Sequence, residues 1–153
     1  MRQFAVKTAA MALLAIALTV PGQAMAAQTP PPPEIVTPFT QFDPNYVYLE
    51  NGSAYISYSG NGKGSISGET IATRRVDKIG VQLVLQRWTG KEWIDVYTGE
   101  NAELSDVSRS NKTIDNLSVS SGYYYRVKST HWITYGSTKE DGVRYSSSLL
   151  IPD

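Results

Sequence analysis

Ile79-Gly80-Val81-Gln82-Leu83-Val84-Leu85-Gln86-Arg87-Trp88, then Thr89-Gly90-Lys91-Glu92 and Trp93, is the stretch that decides the fold. Ile79, Val81, Leu83 and Leu85 alternate with Gly80, Gln82, Val84 and Gln86, so one side of an extended chain is fully apolar. That period of two predicts a strand with a buried face, because successive side chains point to opposite sides of a sheet. Gly90 stands at the first central position of a four-residue turn, as a type II′ hairpin requires. The hairpin pairs Thr89 with Glu92 and sets Trp88 opposite Trp93. It turns Ile94 and Val96 inward and leaves Trp93, Asp95 and Tyr97 on the outer face.

Outward from this hairpin the chain keeps a β pattern. Tyr46–Glu50 and Ala54–Ser59 read as strands joined by a turn at Asn51-Gly52. Gly60, Gly62 and Gly64 make a further turn into a strand from Ser65 to Arg74. These glycines lack the spacing of a phosphate loop, and no helical pattern follows them. Gly99–Arg109 is polar and reads as a mobile loop; there is no Asp-x-Asp-x-Asp-Gly run, and Asp106 and Asp115 flank a loop that offers only weak calcium binding. Strands resume at Lys112–Val119, Tyr123–Ile133 and Val143–Ile151. Seven or eight short strands without an amphipathic helical segment predict an all-β, antiparallel sandwich.

The N-terminal part is of another kind. Arg2 and Lys7 precede the apolar run Ala9–Val20, and Ala24-Met25-Ala26 ends it. A charged start, a short apolar stretch and an A-x-A site predict a cleavable export signal over residues 1–26. The run has 12 residues, and a spanning helix needs about 20. Residues 27–44, with Pro30–Pro33, Pro38 and Pro44, read as an extended proline-rich linker. Residues 45–153 form the expected domain. Cleavage removes Arg2 and Lys7 from 14 basic residues set against 14 acidic ones, leaving a net charge of −2. That balance argues against nucleic acid as a partner. There is no cysteine, which fits export from a Gram-positive bacterium and excludes a lipid-modified cysteine. The expected location is secreted, with no membrane span in the mature chain.

Two resemblances add to this reading. Leu117, Tyr123 and Val127, with Val119 and Ser129 between and after them, resemble the corner between the fifth and sixth strands of fibronectin type III domains. The resemblance implies an immunoglobulin- or fibronectin-like sandwich in which the Tyr123 hydroxyl bonds upstream backbone. Gly68–Ala72, Leu85-Gln86-Arg87-Trp88-x-Gly90-x-x-Trp93-x-x-Val96 and Gly122–Val127 with His131 are similar to a family of small exported Gram-positive proteins. That family is a domain of unknown function, and it implies no activity, cofactor or catalytic residue.

Candidate chemistry is sparse. His131 is the only histidine, and its parity with Tyr123, Tyr125 and Val127 places it toward the inside near the end of its strand, as a structural group. One histidine and no cysteine cannot make a structural zinc site, and no cofactor is expected. The sharper candidate is an outward sheet face. In a fibronectin-like arrangement it carries Trp88, Trp93, Tyr97, Tyr124, Arg126 and Trp132, together with Gln82, Val84, Gln86, Asp95 and Lys128. Aromatic rings interleaved with amides and charges suit sugar rings or a protein partner, although the same rings could simply cover one another, with Arg126 stacked on one of them. The function expected is a non-catalytic extracellular binding module whose ligand is a surface polymer, a carbohydrate or a protein. The alternative is a secreted inhibitor or toxin acting through Gly99–Arg109, and a hydrolase ranks last.

Overall fold

The computed structural model describes residues 29–33 and 42–153. The expected leader and the rest of the linker lie outside the described residues. Among the described residues seven strands follow in order: β1 (Leu49–Gly60), β2 (Lys63–Trp88), β3 (Trp93–Thr98), β4 (Ala102–Ser118), β5 (Tyr124–Tyr135), β6 (Thr138–Tyr145) and β7 (Leu149–Leu150). All pairings are antiparallel, and there is no helix among the described residues. The expected all-β, antiparallel, sandwich-like class is therefore what the chain adopts.

The strands are not uniformly short, however. The two expected strands Ser65–Arg74 and Ile79–Trp88 are one element, β2, of 26 residues. Its first half pairs with β1 from Lys63 to Ala72, and its second half pairs with β5 from Lys78 to Arg87. β4 runs alongside both halves, from Ser118 opposite Lys63 to Ala102 opposite Val81. The ladder shifts between Ile71 and Val76, which bends the ribbon as bulges do. Beyond the bend β2 folds back over itself. Ile66 from the first half packs with Val81, Leu83 and Leu85 from the second, joined by Tyr125, Val127 and Ile151. A second cluster, Phe42, Leu49, Ala72, Val76, Ile79 and Ile133, fills the region of the bend.

Three local expectations are corrected. Asn51-Gly52 is not a turn, since both residues pair inside β1. Gly52 is needed for close approach instead, because a Cβ there would lie 2.6 Å from the His131 ring. Gly99–Arg109 is not a loop, since β4 begins at Ala102 and its Leu104 and Val107 pair with Ile79 and Val76. Asp106 there takes a left-handed φ of 54° and faces Arg75 at 2.7 Å across the bend. The tyrosine whose hydroxyl bonds upstream backbone is Tyr125, not Tyr123. Its buried hydroxyl accepts the Ser120 N–H at 2.9 Å, while Tyr123 is exposed with the Arg87 guanidinium over its ring. Val119 and Tyr125, both buried, keep the six-residue spacing two positions further on.

The folded part also reaches back to Phe42, which the sequence reading left in the linker. Phe42 is 5% exposed. The chain is tied down behind it by Glu140, whose carboxylate accepts the N–H groups of Val47, Tyr48 and Leu49 at 2.8, 2.9 and 2.6 Å.

Candidate functional site, an aromatic sheet face

The face is built by four strands, β2, β3, β5 and β6, in register. β2 and β3 meet at Trp88 opposite Trp93, their rings tilted with centroids 5.4 Å apart. The expected hairpin is present: the Thr89 N–H donates to the Glu92 carbonyl at 3.0 Å, and Gly90 takes a φ of +97° that a side chain would strain. One step inward Gln86 pairs with Asp95 on β3 and with Arg126 on β5. β6 then brings Tyr145 opposite Lys128.

Arg126 is the centre of this arrangement. Its guanidinium carbon lies 4.3 Å from the ring centroid of Trp93 and 4.3 Å from that of Tyr145. Its Nε–H donates to Gln86 Oε1 at 2.7 Å, and Gln86 Nε2 donates in turn to Asp95 Oδ1 at 2.7 Å. The cation is only 9% exposed. Burial draws its pKa below the ordinary guanidinium value, and Tyr145 and Asp95 act the other way. Cation–π attraction is stronger when water is excluded, about 2 kcal/mol for a desolvated pair, so the two stacks fix the side chain. The result is a rigid ring–cation–ring layer, with the Trp88 ring beside Trp93.

The other expected residues divide. Tyr124 is half-buried one step beyond the last β2–β5 pair, Arg87 with Tyr125, which sets it beside Trp88. Trp132 shares the outward parity but lies six residues from Arg126 along β5, about 20 Å at strand rise. Its ring covers Gly80 and its Nε1–H donates to Asn101. Tyr97 leaves the face altogether. A bulge between the pairs Leu85–Tyr97 and Gln86–Asp95 leaves Val96 unpaired, so Tyr97 shares a face with Leu85. Val96, expected inward, is 41% exposed for the same reason. Tyr145 was missed because Val143–Ile151 read as one strand, whereas β6 ends at Tyr145 and β7 starts at Leu149.

The face is also where the proline-rich segment lands. The Trp88 indole N–H donates to the Pro30 carbonyl at 3.0 Å. The Thr29 N–H reaches the Gly122 carbonyl at 3.3 Å, and Pro30 and Thr29 atoms lie 3.7 Å from where a Cβ of Gly90 would sit.

His131 sits apart, in the core, with no exposed surface. Thr70 Oγ1 donates to the Gly80 carbonyl at 2.8 Å, so it accepts from His131 Nδ1 at 2.8 Å. Nε2 then accepts the Ser129 hydroxyl proton at 2.6 Å. Both ring nitrogens are satisfied in the neutral form, and burial, aided by the nearby Arg144 charge, lowers the pKa to about 4. Serine beside histidine has the outline of a nucleophile and base, but Ser129 is as fully buried as His131. No substrate atom can reach the pair. Among the described residues no three acidic or histidine side chains gather as a metal site, and no helix is long and apolar enough to cross a membrane.

No family model matches the chain, and no curated protein matches it. A solved structure of a protein from Archaeoglobus fulgidus is similar at 16% identity, covering 67% of this chain and 96% of that one, with a TM-score of 0.36.

Proposed function

We propose that the chain is an exported, non-catalytic binding module that contacts an extracellular partner through the face around Trp88, Trp93 and Arg126. The observation that carries this reading is the Arg126 layer. The buried cation, locked by an amide, fixes the half-buried Trp93 ring and the exposed Tyr145 ring on either side of it, and a preorganised ring surface lowers the entropy lost on binding. Tryptophan, tyrosine and arginine are also the side chains that dominate binding energy at interfaces. The competing effector reading loses its main support, because residues 102–109 belong to β4 rather than to an insertable loop.

The test is capture of the purified protein on isolated cell walls and insoluble polysaccharides, with Trp93→Ala beside the parent chain. Trp93 is half-buried at a hairpin end, so the variant should stay folded and lose capture. Outright unfolding of Trp93→Ala, or undiminished capture by the folded variant, would sink the proposal.

A further inference from the structure

We infer that this face is a receptor for extended proline-rich peptide, and that Thr29–Pro33 of the same chain occupies it in cis. The inference rests on reading the face as a binding surface and names the ligand class. Its basis is the way the segment is held. Tetraproline cannot offer backbone donors and is stiff in the polyproline II form, so a receptor must meet it with donors to its carbonyls and with flat surface for its rings. Both are here. The Trp88 indole supplies the donor, at 3.0 Å from the Pro30 oxygen. The Pro30 Cγ and Cδ atoms come down over Gly90, 3.7 Å from the place a side chain would fill.

Indole donors on ligand carbonyls and aromatic walls for proline rings are how Pro-rich segments dock in general. Among the described residues the hold on the segment is slight: besides the Trp88 bond there is one backbone bond, Thr29 to Gly122 at 3.3 Å, and Pro30, Pro31 and Pro33 stay exposed. The geometry is that of a displaceable occupant. Proline-rich peptide in trans, from another protein or a second copy, would meet the same Trp88 donor and the same side-chain-free surface over Gly90. A segment tethered by a short stretch of chain competes at an effective concentration near millimolar. A peptide binding with a Kd of about 100 μM would thus appear about tenfold weaker against the parent chain.

The experiment uses the full chain and a synthetic peptide spanning residues 27–35. The opened variant carries Pro30→Gly, Pro31→Gly, Pro32→Gly and Pro33→Gly. Tryptophan fluorescence and the Trp88 indole N–H resonance follow a titration of parent and variant, and a peptide with the four prolines replaced by glycine is the control. The expected result is saturable binding about tenfold tighter in the opened variant, with the indole resonance returning toward its parent position. Trp88→Phe in the opened background keeps a ring, removes the donor, and should weaken binding several-fold. Because Trp88 is buried and that variant could unfold, the indole resonance in the tryptophan-bearing chains decides independently. The inference is overturned by no saturable binding to a folded opened variant, or by equal binding of the glycine control. Should peptide fail while Trp93-dependent capture on walls persists, the ligand class is wrong and the face remains a binding surface. If peptide binds through Trp88 and no wall fraction is captured, the peptide inference stands and the polymer partner is dropped.

Discussion

Acid should weaken the fold through His131, and the size of the effect follows from where the ring sits. In the folded chain the imidazole is neutral, donates to Thr70, accepts from Ser129, and has a pKa of about 4. In the unfolded chain it returns to about 6.5. Between those values the unfolded state binds the extra proton and the folded state does not, so stability falls as pH falls. The contribution is fully present above pH 6.5 and is lost progressively toward pH 4. A drop from 6.5 to about 4 is worth about 3 kcal/mol, a large part of the stability of a small domain. With a urea m-value of about 2 kcal/mol/M, the unfolding midpoint should move by about 1.5 M. Carboxylates titrate in the same range, so the measurement is a difference. Urea unfolding of the parent chain and of His131→Asn is followed at pH 7, 6, 5 and 4, and an NMR titration of the imidazole gives its pKa directly. The asparagine amide can donate and accept without titrating, so its profile should be flatter by about 3 kcal/mol over that interval. Parallel profiles for the two chains, or an imidazole titrating near 6.5 in the folded protein, would refute the reasoning.

Three further substitutions test the frame around the site. Glu140→Gln keeps the Glu140 side-chain shape but turns an NH2 against at least one of three backbone donors, Val47, Tyr48 and Leu49. It should cost about 2–3 kcal/mol, seen as a Tm lower by roughly 10 °C in a thermal scan. Tyr125→Phe leaves the Ser120 N–H without its partner and should cost about 1–3 kcal/mol. Tyr123→Phe should change denaturant stability by less than about 0.5 kcal/mol, because its hydroxyl is at the surface; the reverse order of these two would restore the original corner assignment.

What could be read in the sequence was what is local. Ile79–Trp88 and its hairpin announce themselves because alternation and the Gly90 turn are properties of neighbouring residues, and the Trp88–Trp93 pair follows from the turn alone. The misreadings share a long-range cause. Gly52 looked like a turn residue, yet its reason is a histidine ring 79 positions away that needs the space. Residues 102–109 looked like loop because a strand on the open side of a two-stranded ribbon has few apolar positions to show; Leu104 remains 48% exposed even when paired. Tyr97 was placed on the wrong face because the bulge at Val96 reverses parity beyond it, and no residue type there demands a bulge. Tyr145 and the docked Pro30 became visible only when β5 and β2 gave them something to lie against.

The continuity of β2 has a consequence for how this protein can come apart. Two separate sheets are held together by side chains only, so one can loosen while its partner stays intact. Here a single backbone leads from one layer into the other through Ala72–Val76, and β4 accompanies it on both sides of the bend. A break in either ribbon strand unzips hydrogen bonds in both layers, so there is no seam along which half the domain could open. Amides at Ile66 and at Leu83 should therefore exchange with solvent in the same global event rather than in two steps. A fold that opens only as a whole presents no partly unfolded segment for a protease to cut.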